Sequence, residues 1–392
     1  MQFNQYYTDS NISDKLINSL EIQYPNQAFD LGFGSGELLK SVKRRWSKIR
    51  LAGADIDPQN VNFAKKEALI DSVELDGFLE NLPNIILEKY GNIDILISNP
   101  PFFQKKISDN CLRILESADL LDCISMKSKT IPSELIFLAQ NLRLLSETGE
   151  IGIILPAGLV TGERWKVLRS LLFRKYNMKN IIQLPENSFK QTEAQTFMLI
   201  FSRSNQLNSG LVTLSHINKT EKIVIPICEA IERADYNFYE YRKHKSHFTK
   251  FEATDFTVFR GNTSRVKLKV NQIEHIHSTD FDKSPLMTTL VSNFHQDIKV
   301  CKASDILVAR VGSRCVGRIM YVSAGSLPIS DCVIVIRAKN EKSRIKIWKK
   351  LCSPQFQEFL NSSLLGVGPK YITHSLIKTF LTNGTVQNAT SP

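Results

Sequence analysis

Between Ala28 and Phe201 short apolar runs alternate with amphipathic stretches, as in a parallel sheet whose strands are covered on both faces by crossover helices. The runs predict strands near 28–31, 51–54, 94–98, 151–155, 181–184 and 196–201. The stretches between them predict helices near 36–46, 60–68, 133–145 and 163–175. Ser133 is the expected cap of the third helix, which Leu135, Leu138 and Leu142 carry on one face. The fold class expected is α/β, a Rossmann-like doubly wound sheet.

Beyond Ser202 the pattern changes to polar loops and short alternating strands, with 205–210 as the expected linker. Strands are expected at 306–310, 316–322 and 332–336, joined by turns that contain Gly312 and Ser313. Helices should follow at 343–351 and from Pro354 to Leu360. The reading is therefore a catalytic domain over 1–203 and a smaller α+β domain over 211–392, with a frayed tail at 387–392. No internal repeat is visible.

Charge sharpens this division. Residues 1–202 carry 23 basic and 24 acidic side chains, whereas 203–392 carry 27 and 15, so the whole excess of a chain with net charge +11 lies in the second half. A basic module beside a neutral one suits a polyanion held for a partner that does chemistry, although a solvated basic surface gives the same count. At 392 residues and 42% hydrophobic composition the chain is ordinary for a globular protein. No apolar run approaches the roughly 18 to 20 residues needed to span a bilayer, and the start Met1-Gln2-Phe3-Asn4-Gln5 lacks a signal-peptide pattern. A cytoplasmic location and no membrane partner are expected. Seven scattered cysteines, none in zinc-like spacing, read as reduced and mostly buried thiols, and no metal site is expected.

Two motifs bear chemistry. Asp30-Leu31-Gly32-Phe33-Gly34-Ser35-Gly36 ends a predicted strand and opens a helix, where glycines let the backbone approach a nucleotide-like ligand. A plain tight turn has the same look, but Asp55, at the end of the next strand, is placed to accept bonds from both ribose hydroxyls. No phosphate-clamping lysine follows the glycines, so an adenosine without phosphates fits better than a triphosphate. The second motif, Asn99-Pro100-Pro101-Phe102, stops a buried strand at two prolines and leaves Asn99 and the Pro100 carbonyl as fixed polar groups at the sheet's carboxyl edge. An amino group on an aromatic ring is a poor nucleophile because its lone pair is delocalised. Two acceptors on its N–H bonds, Asn99 Oδ1 and the Pro100 carbonyl, favour a pyramidal nitrogen, and Phe102 is placed to stack on the ring.

The order and spacing of these motifs resemble the gamma group of N6-adenine DNA methyltransferases of restriction-modification systems. There the cofactor motif precedes an Asn-Pro-Pro-aromatic tetrad and a target recognition domain follows. Gln2-Phe3-x-x-Tyr6-Tyr7-Thr8 resembles the N-terminal cofactor motif; Asp30, Gly32, Gly34 and Gly36 the glycine motif; Asp55 the ribose-binding acid; and Asp76 and Phe78 the acid and aromatic at the cofactor adenine. Asn99, Pro100, Pro101 and Phe102 match the catalytic tetrad, and Phe189 stands where the family places a second aromatic against the target base. Segments 305–313, Gly317 and Gly366-x-Gly368 are a looser match to recognition domains. Three departures stand out: Asp9 replaces a proline, Phe33 is bulky within the glycine motif, and Gly77 separates Asp76 from Phe78.

The resemblance implies S-adenosyl-L-methionine as cofactor and double-stranded DNA as partner, with one adenine flipped out of the stack. Positioning, without a strong base or metal, should supply the rate. Arg260, Arg265, Arg310, Arg314 and Arg318 are the candidate DNA contacts, able to read guanine bidentately, although for any one of them phosphate contact or a solvated face is the commoner role. A separate restriction endonuclease as partner, modification without cleavage and a monomer are expected. Two alternatives remain. The same tetrad serves methyltransferases of RNA bases and of protein glutamines, although a protein substrate would not need the basic domain. A DNA-binding subunit with a degenerate pocket is the other, against which the unbroken tetrad stands.

Overall fold

The computed structural model describes residues 8–125, 127–189, 194–203, 210–244, 255–281, 287–289, 297–366 and 369–382. The chain divides into two compact units, 1–236 and 237–392. The first unit opens with α1 (Ser10–Asn18), β1 (Gln27–Leu31), α2 (Glu37–Arg45), β2 (Arg50–Asp55), α3 (Pro58–Glu67), β3 (Asp71–Glu74), α4 (Leu82–Tyr90) and β4 (Ile95–Ser98). It continues with β5 (Gln104–Lys106), α5 (Asp109–Ser117), β6 (Thr130–Pro132), α6 (Ser133–Leu144), β7 (Glu150–Pro156), α7 (Ala157–Thr161) and α8 (Lys166–Lys175). Strands β8 (Tyr176–Gln183), β9 (Thr196–Arg203), β10 (Leu211–His216) and β11 (Ile223–Pro226) and helix α9 (Ile227–Glu232) complete it.

Nine of these strands form one sheet in the order β3-β2-β1-β4-β7-β9-β8-β10-β11. β3, β2, β1, β4 and β7 run parallel, and β9 lies antiparallel to both β7 and β8. β1 and β7 are buried along their whole length, polar Gln27, Asp30 and Glu150 included, as in strands covered on both faces. One face packs Leu16, Ile17, Leu39, Val42, Ile95 and Ile154 into a single core cluster. Successive strands run outward from β1 to β3 on one side and from β4 to β7 on the other. The order therefore reverses between β1 and β4, and the crevice beyond their carboxyl ends is where sheets of this kind hold ligands.

The unit boundary differs from the one expected. Positions 205–209 of the expected linker lie outside the described residues. After Gly210, β10 pairs in parallel with β8 and β11 turns back antiparallel on β10, so 211–226 extend the first sheet instead of opening a second domain. Residues 203–236 carry four basic and four acidic side chains, so the move leaves the charge contrast intact: 237–392 hold 23 basic and 11 acidic residues.

Helix α1 has no counterpart in the expected elements, and it accounts for Asp9. The Asp9 carboxylate accepts the Asn11 N–H at 2.9 Å and caps the helix, which opens it as well as a proline would.

The second unit contains α10 (Tyr236–His244), β12 (Phe256–Arg260), α11 (Arg265–Val270), β13 (Met287–Thr289), β14 (Val300–Lys302), β15 (Ile306–Ala309), β16 (Ile319–Pro328), β17 (Val333–Ala338), α12 (Glu341–Leu351), α13 (Pro354–Ser363) and α14 (His374–Thr382), the first of these beginning at the boundary residue. Its sheet runs β12-β17-β15-β16-β13, with β14 also paired to β16; among the described strand pairs β13–β16 is parallel and the others antiparallel. Leu307, Ala309, Met320, Val322, Val333 and Val335 form its core. The strand expected from 316 begins at Ile319, because Val316 and Gly317 close a turn onto Gly312 and Ala309. The expected frayed tail, 387–392, lies outside the described residues.

All seven cysteines are unpaired thiols; Cys111, Cys123 and Cys301 are buried, but Cys228, in α9, and Cys352, the residue after α12, are exposed. Among the described residues no helix is long and apolar enough to cross a membrane.

Candidate active site at the carboxyl edge of the sheet

Both motifs found in the sequence leave the sheet at its switch point. The glycine turn follows β1 and the Asn-Pro-Pro-Phe segment follows β4, and these strands are neighbours, with Ala28, Phe29 and Asp30 in register with Ile95, Leu96 and Ile97. Ser98 Oγ donates to the Leu31 carbonyl at 2.8 Å and ties the two strand ends together.

In the turn, Gly32, Gly34 and Gly36 take φ of 82°, 54° and 73°, a backbone that side-chain-bearing residues adopt at a cost. Asp55 lies at the end of β2, where its Oδ2 accepts the Gly34 N–H and its Oδ1 the Asp57 N–H, each at 2.8 Å. Burial pushes its carboxyl pKa up, and the N–H bonds from Asp57 and Gly34 act against that shift. Asp30 is 1% exposed and its Oδ1 has no hydrogen-bond partner among the described residues; burial first and the charge of Asp55 second raise its pKa well above its ordinary value. A buried acceptor without a partner, beside a glycine cradle, fits a ligand that brings a cationic or N–H group. S-adenosylmethionine carries such an ammonium group.

The two departures inside this region have steric causes. Phe33 turns into the core against β2, and a Cβ at Gly53 would lie 2.8 Å from its ring. Gly77 allows the chain to lie on Phe137, where a Cβ would come within 2.6 Å of the ring. Phe137 of α6 also meets Phe78 edge-on at 5.8 Å, and Phe78 meets Phe103 at 6.0 Å. Asp76 is exposed and its Oδ1 accepts the Phe78 N–H at 2.9 Å, holding this bend. Ile56, next to Asp55, is 42% exposed and leaves an apolar side chain at the rim. Asp55, Asp76, Phe78, Phe137 and Ile56 thus supply carboxylates and apolar surface suited to a nucleoside.

At the second motif Pro100 is buried while Asn99, Pro101 and Phe102 are half-buried. Asn99 Nδ2 donates to Thr8 Oγ1 at 3.0 Å. Phe102 packs against the core cluster that contains Phe189. Ser133 does not cap its helix, as its sequence position suggested, because its hydroxyl is used by the motif loop. It donates to the Pro101 carbonyl and accepts the Phe103 N–H at 3.1 Å. The β5–β6 ribbon flanks the same loop.

The model of the family described as N-6 DNA Methylase matches residues 2–286. The chain belongs to the N-6 DNA methylase family. The methylase subunit of the type I restriction enzyme MpnII from Mycoplasma pneumoniae is 20% identical over 330 residues, which is 76% of this chain and 60% of that protein. A tRNA1(Val) (adenine(37)-N6)-methyltransferase of Porphyromonas gingivalis is 26% identical over 144 residues, 34% of this chain and 50% of that one. The crystal structure of the type IIG restriction endonuclease BpuSI aligns with 94% of this methylase and 57% of that chain at TM-score 0.50 and 11% identity. The chain thus spans between half and two thirds of the length of these relatives. The α/β fold with a parallel-rich sheet and a separate antiparallel-sheet unit agrees with the fold class read from the sequence.

Other expected residues divide between several fates in this N-6 methylase. Tyr7, with Gln2, Phe3 and Tyr6, lies outside the described residues, as do 190–192 beside Phe189, and Gly368. Phe189 itself is 2% exposed, so its ring is a core side chain here and offers no open face to a base. Arg310 is half-buried: its Nη1 donates to the Asp331 carbonyl at 3.3 Å and its guanidinium lies 5.6 Å from the Tyr371 ring centroid. Its backbone is held where 369–372 pair back onto 310–312. Arg265 is half-buried, and Arg260, Arg314 and Arg318 are exposed. Phe137, Ser133 and Ile56 went unnoticed in the sequence as site residues, because a lone apolar residue or a cap-type serine reads as ordinary core or capping.

Proposed function

We propose that this protein transfers a methyl group from S-adenosyl-L-methionine to the N6 of an adenine in double-stranded DNA, as the modification enzyme of a restriction-modification system. One observation carries this reading: the Asn99–Phe102 segment leaves β4 next to the glycine turn that leaves β1, so an amino-group site and a nucleoside site share one crevice. Membership of the N-6 DNA methylase family supports the DNA substrate.

In this reading Asp55 holds the ribose and Asp30 faces the ammonium group, while Phe78, Phe137 and Ile56 line the adenine. S-adenosylmethionine supplies an electrophilic methyl carbon on its sulfonium. Asn99 Oδ1 and the Pro100 carbonyl would accept the two N–H bonds of the target amino group and so localise its lone pair on the nitrogen. Phe102 stacks on the base. An adenine inside a duplex cannot reach these groups, so the base is flipped, and Arg260, Arg265, Arg314 and Arg318 of the basic second unit hold the backbone or read neighbouring bases. The reading extends to a monomer acting in the cytoplasm, with a restriction endonuclease as its partner in the modification system.

The test is methyl transfer from labelled S-adenosylmethionine to unmethylated genomic DNA, followed by nucleoside analysis, with Asn99→Ala alongside. N6-methyladenine in DNA, formed far more slowly by the variant, is the expected result. Label in tRNA or protein with none in DNA would overturn it.

A further inference from the structure

The two acceptors of the tetrad differ in rigidity. The Pro100 carbonyl belongs to a backbone held between two prolines and is fixed wherever the strand end is fixed. The Asn99 acceptor sits on an amide whose final torsion is broad and roughly two-fold, and a half-turn exchanges Oδ1 for Nδ2. A target amino group offers only N–H donors, so an exchanged amide would set donor against donor.

Thr8 is half-buried just before the Asp9 cap of α1, and it is 91 positions from Asn99 in the chain. Its Oγ1 accepts from Asn99 Nδ2 at 3.0 Å, which directs Oδ1 to the opposite end of the amide. The anchor is itself well set, because the Asp9 carbonyl accepts the Ser13 N–H and hydroxyl at 2.9 and 3.0 Å. The backbone next to Thr8 is thereby fastened to the first turn of α1.

We propose that Thr8 is a positioning residue that selects the reactive orientation of the Asn99 amide, a role separate from any contact it makes with the cofactor. The inference rests on the methyl-transfer reading above. It predicts a loss in the chemical step when the hydroxyl is removed and the side-chain volume kept. Thr8→Val should lower the single-turnover rate at saturating cofactor and DNA by about 10- to 100-fold, the scale of a misplaced reacting group, with cofactor Kd changed by about two-fold or less. Thr8→Ser should restore the rate to within about three-fold of wild type. In an Asn99→Ala background Thr8→Val should have no further effect, since the two residues act as one unit.

A raised cofactor Kd with an unchanged saturated rate would overturn the proposal, as would losses that multiply in the double variant. The Asn99 side-chain amide gives a readout that needs no substrate: in protein labelled with nitrogen-15 at asparagine, assigned by its loss in Asn99→Ala, its N–H pair should be protected from exchange and lose that protection in Thr8→Val. If no substrate is methylated, the reaction proposed above fails, and this signal still decides the role of Thr8, an unchanged pair counting against it.

Discussion

Ser133 and Phe103 exchange two hydrogen bonds: the Ser133 N–H donates to the Phe103 carbonyl at 2.9 Å, and the Phe103 N–H donates to Ser133 Oγ at 3.1 Å. With its own proton on the Pro101 carbonyl, the Ser133 hydroxyl bridges both sides of Phe102. The loop that presents Phe102 is therefore held by helix α6, whose first residue lies thirty positions later.

Ser133→Ala keeps the backbone bond and removes both side-chain bonds. The loss should be about 1–2 kcal/mol in stability, because the Phe103 N–H and Pro101 carbonyl lose a partner at a half-buried site. The methyl-transfer rate should fall about ten-fold while cofactor affinity stays within about three-fold. Single-turnover kinetics beside a urea titration separate the two effects, and an unaltered rate would show that the clamp does not reach Phe102.

These residues also mark how far the sequence could be read. The glycine turn, Asp55 and the Asn99–Phe102 segment were legible because their chemistry demands particular side chains at particular strand ends. The parallel strands were legible because burial on both faces leaves unbroken apolar runs, as in β7. Ser133 misled, since a serine before an apolar helix carries the same local signal whether it caps that helix or serves a loop distant in sequence. β10 was assigned to the wrong unit for a related reason: with buried and more open residues mixed along it, Leu211 to His216 looks like a half-exposed strand of any sheet, and pairing with Ile181–Gln183 assigns it. Phe137 read as one more apolar residue of α6, and nothing in its spacing points to Gly77.

Gly53→Ala tests the packing that admits Phe33 to the glycine motif. The new Cβ would lie 2.8 Å from the Phe33 ring and 3.2 Å from the Asp30 carbonyl, so either the ring or the end of β1 must shift. A cost of about 1–3 kcal/mol is expected, with weaker cofactor binding because Asp30 and the turn move together. Phe33→Leu should relieve the clash, so the double variant should melt above Gly53→Ala alone. Thermal unfolding of the three variants checks this, and strict additivity of the two losses would count against it.

Glu134 predicts a dependence on pH. It is 7% exposed in the first turn of α6, and burial pushes its pKa from 4.5 up to about 7, against the opposing pull of its own N–H and of Ser133. The unfolded chain releases this proton near pH 4.5 and the folded chain only near 7. Its contribution to stability is therefore complete below pH 4.5, is lost as pH rises to about 7, and stays lost above, a total of about 3 kcal/mol. Glu134→Gln removes the group that must ionise. The variant should match wild type most closely at pH 5 and exceed it by about 2–3 kcal/mol at pH 8, read from denaturant midpoints at both. An equal difference at the two pH values would mean that Glu134 does not titrate in this window.

Arg169 provides the test of where the first unit ends. It is 2% exposed on α8, yet its guanidinium reaches carbonyls on two other helices. Nη1 donates to Leu159 at 3.0 Å and Gly162 at 2.9 Å, at the end of α7; Nε donates to Ile231 at 2.7 Å and Nη2 to Glu232 at 2.9 Å, at the end of α9. A cation among the closing carbonyls of two helices is favoured by their dipoles as well as by the bonds. Arg169→Met keeps much of the volume and strands four carbonyls, for a loss of about 3 kcal/mol or more. Arg169→Lys should recover little, because a compact ammonium cannot span both helix ends as the planar fork does. If α9 belongs to the first unit, Arg169→Met should speed amide exchange in 211–232 together with the strands β8 and β9. Faster exchange confined to α7 and α8, with 211–232 unaffected, would return that segment to the second unit.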